Sequence, residues 1–334
     1  MKIVTIGGGT GAPIVLRALI KAGFNHIDAI SAAMDSGGQT GVIRSDERDQ
    51  VIAVSDLLRN LLALTPPKSS QLDNVTAFNE IISFIDGRNR NLGYTLYYGL
   101  LEKYDNDYLQ VQRTLEQLLN LEFMGRAIPV TSQPATICFQ TESGFVYTGE
   151  HELDRYSMSQ DMVEKVWLQP LVPATPGAVE AIMQATYIIY CPGSIYGSVI
   201  ASLLPKGVKR ALKQATAKKI LISNLVSVRN ETHQFAPEDY WRLFQKYTEL
   251  DRPFEVMIVP DRSRATFEAE YADIAAHYAK QHSHFLGWTE DELALMRNYK
   301  VQVYRCDHYS LTHQFGRLRH EPDKLAKILK SVIV

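Results

Sequence analysis

Lys2-Ile3-Val4-Thr5-Ile6-Gly7-Gly8-Gly9-Thr10-Gly11-Ala12-Pro13 is the stretch whose reading decides the fold. A short apolar strand runs into four glycines within five positions, and Ile14-Val15-Leu16-Arg17-Ala18-Leu19 then opens a helix. Glycine permits close backbone approach and positive φ, and the free N–H groups of a helix start attract anions. Pro13 suits a first helical turn, where its missing N–H costs nothing. Two readings stay open here: a phosphate cradle made by Gly8, Gly9, Thr10 and Gly11, or a tight strand-to-helix turn. The spacing is neither the G-x-G-x-x-G of dinucleotide enzymes, which counts against a nicotinamide oxidoreductase, nor a P-loop ending in Lys-Ser/Thr.

Immediately downstream, Ile27 to Ala33 reads as a second strand, which completes a β-α-β unit. Such units are right-handed and build a parallel sheet, so ligands are expected at the carboxyl ends of its strands. That end carries Met34-Asp35-Ser36-Gly37-Gly38-Gln39-Thr40-Gly41-Val42-Ile43-Arg44. Asp35 stands where a nucleotide-binding sheet often places an acidic residue for ribose or metal. Gly37, Gly38, Thr40 and Arg44 extend the same theme, beyond what a plain Asp-Ser-Gly-Gly turn needs.

Apolar residues from Val51 to Leu62 recur at helical spacing, which predicts a helix over about 49–64 ending before Pro66-Pro67. Asp56, Arg59 and Asn60 fall among them, and a solvated polar face accounts for them at this stage. Helices are predicted around 75–85, 93–103 and 107–121, a helical insertion or lid spanning 66–125. Strands follow at 127–131, 135–139 and 144–148, with a hairpin over Thr141 to Gly144 and a further strand at 165–168; together they read as a small antiparallel element covering the sheet edge. The parallel pattern then resumes with a helix from Pro176 to Gln184 and a doubly buried strand, Tyr187 to Cys191.

That strand ends in Pro192-Gly193-Ser194-Ile195-Tyr196-Gly197-Ser198, with a helix predicted to about Leu204, and so repeats the opening arrangement. Two such loops can meet at one sheet edge and hold successive phosphates. Ser194 as a nucleophile is the competing reading, but the turn lacks the G-x-S-x-G elbow. A helix from Gly207 to Gln214 and a strand at 219–223 lead into a polar loop, where Asn224, Glu231 and Thr232 are expected to face the same site. Strands at 256–259 and 301–304 complete the pattern; Asp261, Arg262 and Arg264 receive no role.

Composition narrows the class. The chain has 334 residues, 46% hydrophobic and 22% charged, with net charge -2 and no basic block, which argues against a general nucleic-acid binder. No apolar run is long enough to span a bilayer, and no basic segment leads into an apolar one at the start, so a cytoplasmic protein is expected. Cys138, Cys191 and Cys306 are widely spaced and fit buried thiols in a reducing compartment. The histidines offer no zinc spacing, whereas Mg²⁺ would need only one or two carboxylates beside a diphosphate, with Asp35 the candidate ligand.

Taken in order, Gly7-Gly8-Gly9-Thr10-Gly11, Asp35 to Arg44, Asp56-Leu57-Leu58-Arg59-Asn60, Ile128-Pro129-Val130-Thr131, Pro192-Gly193-Ser194-Ile195-Tyr196, Leu203 to Val208 and Ser223-Asn224-Leu225 make the sequence resemble the CofD/YvcK group. That group comprises 2-phospho-L-lactate transferase and the bacterial gluconeogenesis factors, and the later motifs look closer to the second branch. The resemblance implies a Rossmann-like α/β domain over 1–334: a parallel sheet flanked by helices, with the helical insertion and small antiparallel element already noted. It also implies a nucleotide diphosphate ligand, and it gives Asp56, Arg59 and Asn60 a place in the site. The factor branch implies a UDP-sugar-binding regulator; the transferase branch implies Mg²⁺-dependent transfer from a nucleotide diphosphate donor. A homodimer is implied by the resemblance alone. The sequence departs from the group's pattern around Asp35 and at Gly93-Tyr94-Thr95-Leu96-Tyr97-Tyr98, where a histidine, a glycine and an asparagine are replaced.

Under the regulator reading, Gly9, Thr10, Gly11, Gly193 and Ser194 hold the diphosphate, Asp35 contacts ribose or Mg²⁺ and Arg44 adds charge. In the transferase reading the same cradle orients a donor, and Arg44 or Arg59 stabilises the charge that develops.

Overall fold

Residues 1–34, 51–67, 72–154, 161–233, 235–312 and 317–333 are described in the computed structural model. Among the described residues twelve strands are formed: β1 (Ile3–Ile6), β2 (Ile27–Ser31), β3 (Gly125–Pro129), β4 (Thr136–Thr141), β5 (Val146–Thr148), β6 (Val163–Gln169), β7 (Tyr187–Tyr190), β8 (Lys218–Ile222), β9 (Val256–Pro260), β10 (Gln302–Cys306), β11 (Tyr309–Thr312) and β12 (Arg317–His320). Seven of them make one sheet in the order β10-β9-β8-β7-β1-β2-β3, and every pairing in it is parallel.

That order has a direct consequence for ligand binding. From β1 the chain builds outward through β2 and β3 on one side, then returns to lay β7 against the other side of β1 and builds away from it. Connections on the two sides leave in opposite directions, so a crevice opens between β1 and β7 at their carboxyl ends. Ile3 pairs with both Ile27 and Tyr187, which places β1 at the centre of the register. Strands β1, β2, β7 and β9 are buried along their whole length, as expected where helices cover both faces of a parallel sheet. At the β3 edge, Arg126 spans Asp28 with two hydrogen bonds of 2.7 Å.

Several boundaries differ from the sequence expectation. The helix expected over 49–64 begins at Ser55 and ends at Ala63. Residues 51–54 are buried but not helical, and Ala53 donates to the Ala33 carbonyl at 2.9 Å. Their apolar spacing reflects burial of an irregular segment, which a helical period imitates. The strand expected at 127–131 belongs to the main sheet as β3, not to the small antiparallel sheet, whose order is β5-β4-β6. After Pro192 the predicted helix is a π-helical turn, Ile195–Ile200, followed by a 3₁₀ turn, Ala201–Leu203. The hairpin β11–β12 was not anticipated; it pairs Tyr309 with His320.

Within the expected insertion, helices Leu72–Ile82, Leu92–Lys103 and Tyr108–Leu119 lie between the helix Ser55–Ala63 and β3. Ile82, Tyr97, Leu101, Val111 and Leu115 from these helices share one continuous apolar core with the strands of the sheet. Among the described residues no helix is long and apolar enough to cross a membrane.

The central strand β7 should dominate stability. Ile189 is fully buried, so Ile189→Ala is expected to cost about 2–5 kcal/mol, read as a lower urea midpoint at unchanged m-value.

Candidate functional site

The first loop leaves β1 at Gly7, whose N–H donates to the Ile30 carbonyl at 3.1 Å. A side chain on Gly8 would collide with the Asp56 carboxylate, and one on Gly11 with the Pro192 carbonyl oxygen. Glycine is required at both positions by close approach, and the second approach locks the loop after β1 to the loop after β7. The helix Gly11–Lys21 then starts with Thr10 at its N-cap, yet the Thr10 side chain makes no capping hydrogen bond. Of the helix's first three residues, Ala12 donates its N–H to the Gly8 carbonyl at 3.4 Å and Pro13 has none, which leaves Gly11 N–H as the first-turn donor at this helix start.

Behind the loop lies a polar layer carried by the helix Ser55–Ala63. Asp56, 5% exposed, accepts from Gly9 N–H at 2.7 Å. Arg59 stands 3.6 Å from the same carboxylate oxygen and donates to the Tyr94 hydroxyl at 2.6 Å. Its guanidinium lies 5.7 Å from the Tyr94 ring centroid. Asn60, 1% exposed, donates to Ser31 Oγ at 2.8 Å and reaches the Gly7 carbonyl at 3.5 Å. The solvated-face expectation therefore fails for Asp56 and Asn60: both are turned inward and brace the loop. One consequence is that the Gly9 N–H is already engaged by a carboxylate.

The second loop is closed by the chain itself. Gly193 N–H donates to Asn224 Oδ1 at 2.8 Å, and Asn224 Nδ2 returns a bond to the Gly193 carbonyl at 2.8 Å. Ser194 Oγ accepts from Gly197 N–H at 2.9 Å and donates to Glu231 Oε2 at 3.1 Å, while Tyr196 N–H donates to the same oxygen at 3.0 Å. Glu231 is 3% exposed. Ser194 thus acts as a helix cap beside a buried carboxylate that fills the anion-attracting position of this turn. Glu231, expected only to face the site, is part of the loop's architecture.

A cavity of about 310 Å³ opens in front of the two loops, lined by Thr10, Gly11, Gly193, Asn224 and Arg319. Arg319 donates to Thr10 Oγ1 at 3.2 Å across a sequence separation of 309 residues. Apolar side chains of Ile14, Leu225, Val226, Val228 and Leu318 also line the cavity, together with the polar side chains of His277, Gln281 and His320. Tyr278 also lines the cavity and accepts at its hydroxyl from Leu318 N–H at 2.7 Å. Sequence reading missed Arg319 because it sits on a four-residue strand in a hairpin that was not foreseen. The alternation Arg317-Leu318-Arg319-His320 is the local signal that could have suggested a strand.

Leu225 and Val226 on the cavity lining belong to a two-segment bridge. Val226 pairs with Phe285, Leu286 N–H donates to the Leu225 carbonyl at 2.8 Å, and Ser227 N–H donates to the His284 carbonyl at 2.8 Å. Ser227 Oγ also accepts from His284 N–H at 2.9 Å and lies 3.1 Å from His284 Nδ1. Burial, aided by the nearby Arg264 charge, pushes the His284 imidazole down to about 4.

Of the residues singled out from sequence, Gly8, Gly9, Thr10, Gly11, Asp56, Arg59, Asn60, Gly193, Ser194 and Asn224 come together around the β1–β7 crevice. Asp35, Gly37, Gly38, Thr40 and Arg44 lie outside the described residues; Met34, the last residue described before them, is buried just beyond the end of β2. Among the described residues no group of three His, Cys, Asp or Glu side chains could hold a metal ion. Cys138, Cys191 and Cys306 are all free thiols.

Comparison with known proteins identifies relatives of the whole chain. The family model described as 2-phospho-L-lactate transferase CofD matches residues 3–301. A Thermotoga maritima protein provisionally named a gluconeogenesis factor is 27% identical over 334 residues, covering 99% of both chains. The gluconeogenesis factor of Listeria innocua is 28% identical over 247 residues, 74% of this chain and 73% of that one. The crystal structure of a UPF0052 family member from Bacillus halodurans shares the fold with a TM-score of 0.82 at 22% identity, covering 98% of each chain.

Two outcomes are expected. Gly11→Ala should destabilise the protein by about 1–3 kcal/mol through overpacking against Pro192, whereas Gly87→Ala, with nothing within 4 Å of the added carbon, should leave denaturant midpoints nearly unchanged. His284 is lowered from 6.5 to about 4 in the folded chain. Between those values the unfolded chain binds a proton that the folded one does not, so stability falls as pH drops through this window. His284→Gln should make that fall shallower in pH-dependent chemical denaturation.

Proposed function

The chain belongs to the CofD family, and from that membership and the crevice geometry we propose that it binds a nucleotide sugar of the UDP-sugar type as a regulator of central carbon or cell-envelope metabolism. One observation carries the reading. The helix start at Gly11, left without a side-chain cap, is locked against the β7 loop and opens into a cavity that Arg319 enters from the far end of the sequence. A helix start and a guanidinium converging on one space suit the two negative charges of a diphosphate.

The roles divide between the two loops. Thr10 and Gly11 meet the phosphates, and Arg319 supplies positive charge. Asp56 and Asn60 hold the first loop's shape from behind, with Arg59 offsetting the Asp56 charge. Asn224, Gly193 and Ser194 fix the second loop as a rigid opposite wall. Asp35, Gly37, Gly38, Thr40 and Arg44, which follow β2 in sequence, are assigned to the same ligand. If Mg²⁺ accompanies the diphosphate, Asp35 is its ligand, and the ion would neutralise phosphate charge there. A cytoplasmic homodimer belongs to the same proposal.

A transferase reading is favoured by the family description itself. There the same cradle orients a nucleotide diphosphate donor, and Asp35, Arg44 and Arg59 act at the phosphate that changes partners.

Thermal unfolding of the purified protein with UDP-sugars and guanosine diphosphate compounds, with and without Mg²⁺, followed by product analysis, tests both readings. Stabilisation by a UDP-sugar with no product is expected, and Arg319→Gln should weaken it by about tenfold or more, as loss of a charge-assisted contact predicts. Release of GMP from a guanosine diphosphate donor would convert the conclusion to the transferase. No stabilisation by any nucleotide would end the phosphate-cradle argument.

A further inference from the structure

The Val226–Phe285 bridge carries a cavity on each of its segments. Leu225 and Val226 line the one in front of the loops; His284, Phe285 and Leu286 line a second, of about 620 Å³, within the range of small-molecule sites. The two share no lining residue. We infer that the second cavity is a binding site, separate from the crevice, for a small neutral molecule with a planar aromatic body and an amide edge, on which a C=O and an N–H stand side by side.

The walls suit a rigid ring. Phe235, Phe285 and Trp288 all line the cavity. Phe235 and Trp288 both stand edge-on to the buried Tyr240, with ring centroids at 5.3 and 6.0 Å, and the Trp288 indole N–H donates to the Phe235 carbonyl at 3.3 Å. Arg264 N–H, on a neighbouring part of the lining, donates to the Gly287 carbonyl at 2.8 Å. A side chain on Gly287 would strike the Arg262 carbonyl and the Phe285 ring, so this close approach needs glycine. Aromatic surface held in place before a ligand arrives lowers the cost of binding a rigid planar body. The charges on the lining, by contrast, are spoken for. Arg264 Nε donates to Glu268 at 2.7 Å, and Glu292 accepts from the Thr289 N–H at 2.7 Å and from its hydroxyl at 2.9 Å. A charged ligand would give up hydration here and find its counter-ion already paired.

Two imidazoles on the lining, with centroids 5.2 Å apart, supply hydrogen-bonding atoms of opposite kind. Ser227 Oγ accepts from the His284 backbone N–H and so donates to His284 Nδ1, which leaves the ring proton on Nε2. His233 is hydrogen-bonded to the His282 backbone, and its Nδ1 is buried with no partner among the described residues. Its proton therefore sits on Nε2, and Nδ1 is an acceptor. Burial first, and then the Arg264 charge, hold both imidazoles below their ordinary pKa, so each stays neutral at pH 7. An amide offers its C=O to His284 Nε2–H and its N–H to His233 Nδ1, and the second bond satisfies an acceptor that is costly to leave unpaired. A carboxylate lacks the donor, and an ammonium lacks the acceptor.

Titration of the full chain at pH 7 with benzamide, benzoate and benzylammonium, which share a ring and differ in the polar edge, tests this through the imidazole resonances of His233 and His284. Benzamide is expected to shift both and to bind about tenfold tighter or more than either charged probe. His233→Phe keeps a ring and removes the acceptor. Because that change could disturb the His284 contact, Ala265→Trp, which fills the cavity from an exposed position, gives a second measurement. Each variant, read at His284, should weaken benzamide by about tenfold or more. The inference falls if benzamide leaves both resonances of the parent unmoved, if benzoate or benzylammonium binds as tightly, or if both variants keep the parent's affinity. As the two cavities share no lining residue, each of these outcomes leaves the diphosphate reading of the crevice standing.

Discussion

The structure turns on a single close contact, the approach of Gly11 to the Pro192 carbonyl. Parallel pairing of β1 with both β2 and β7 aims their carboxyl ends in one direction, but pairing alone leaves the two exit loops free to splay. The missing side chain at Gly11 brings them into contact, and the crevice acquires a floor. Around that floor, polar groups are distributed by what the backbone needs. Asp56 and Asn60 buttress the first loop, and Asn224 with Glu231 completes the second. Most of the charged and polar side chains near the crevice are thus engaged in shaping it.

This division gives the two glycine turns different characters despite their similar sequences. One has a helix start without a side-chain cap and a cation that arrives from a distant strand. The other has Ser194 as cap and Glu231 as an internal anion. A resemblance between two motifs in sequence is therefore no guarantee of equal roles: a buried carboxylate beside the second turn already fills the position that an incoming phosphate would need.

The sheet, its parallel pairing and the meeting of the two loops were legible in the sequence, because glycine-rich turns after fully apolar strands have few other uses. Less legible were features set by burial on all sides. Residues 51–54 imitate a helix in their spacing but lie outside it, and Asp56 and Asn60 look like a solvated face until the loop they brace is placed over them. The π-helical turn after Ser194 leaves no mark in apolar spacing. Arg319 was invisible for a different reason: its partner Thr10 lies 309 residues away, and no local pattern encodes a contact of that span. Helical periodicity alone gives the residues of the helix Ser55–Ala63 no reason to turn Asp56 and Asn60 inward; the loop they brace supplies it.

The hairpin β11–β12 and the helix Pro322–Val332 that follows it are fastened to the first helix of the chain, in part through the ion pair between Lys21 and Asp323 at 2.6 Å. The beginning and the end of the described chain therefore share one side of the crevice. The cavity's lining thus joins residues more than 300 positions apart, and contacts of that span are slow to form relative to local folding: the β1–helix–β2 unit can fold well before the cavity beside it is closed.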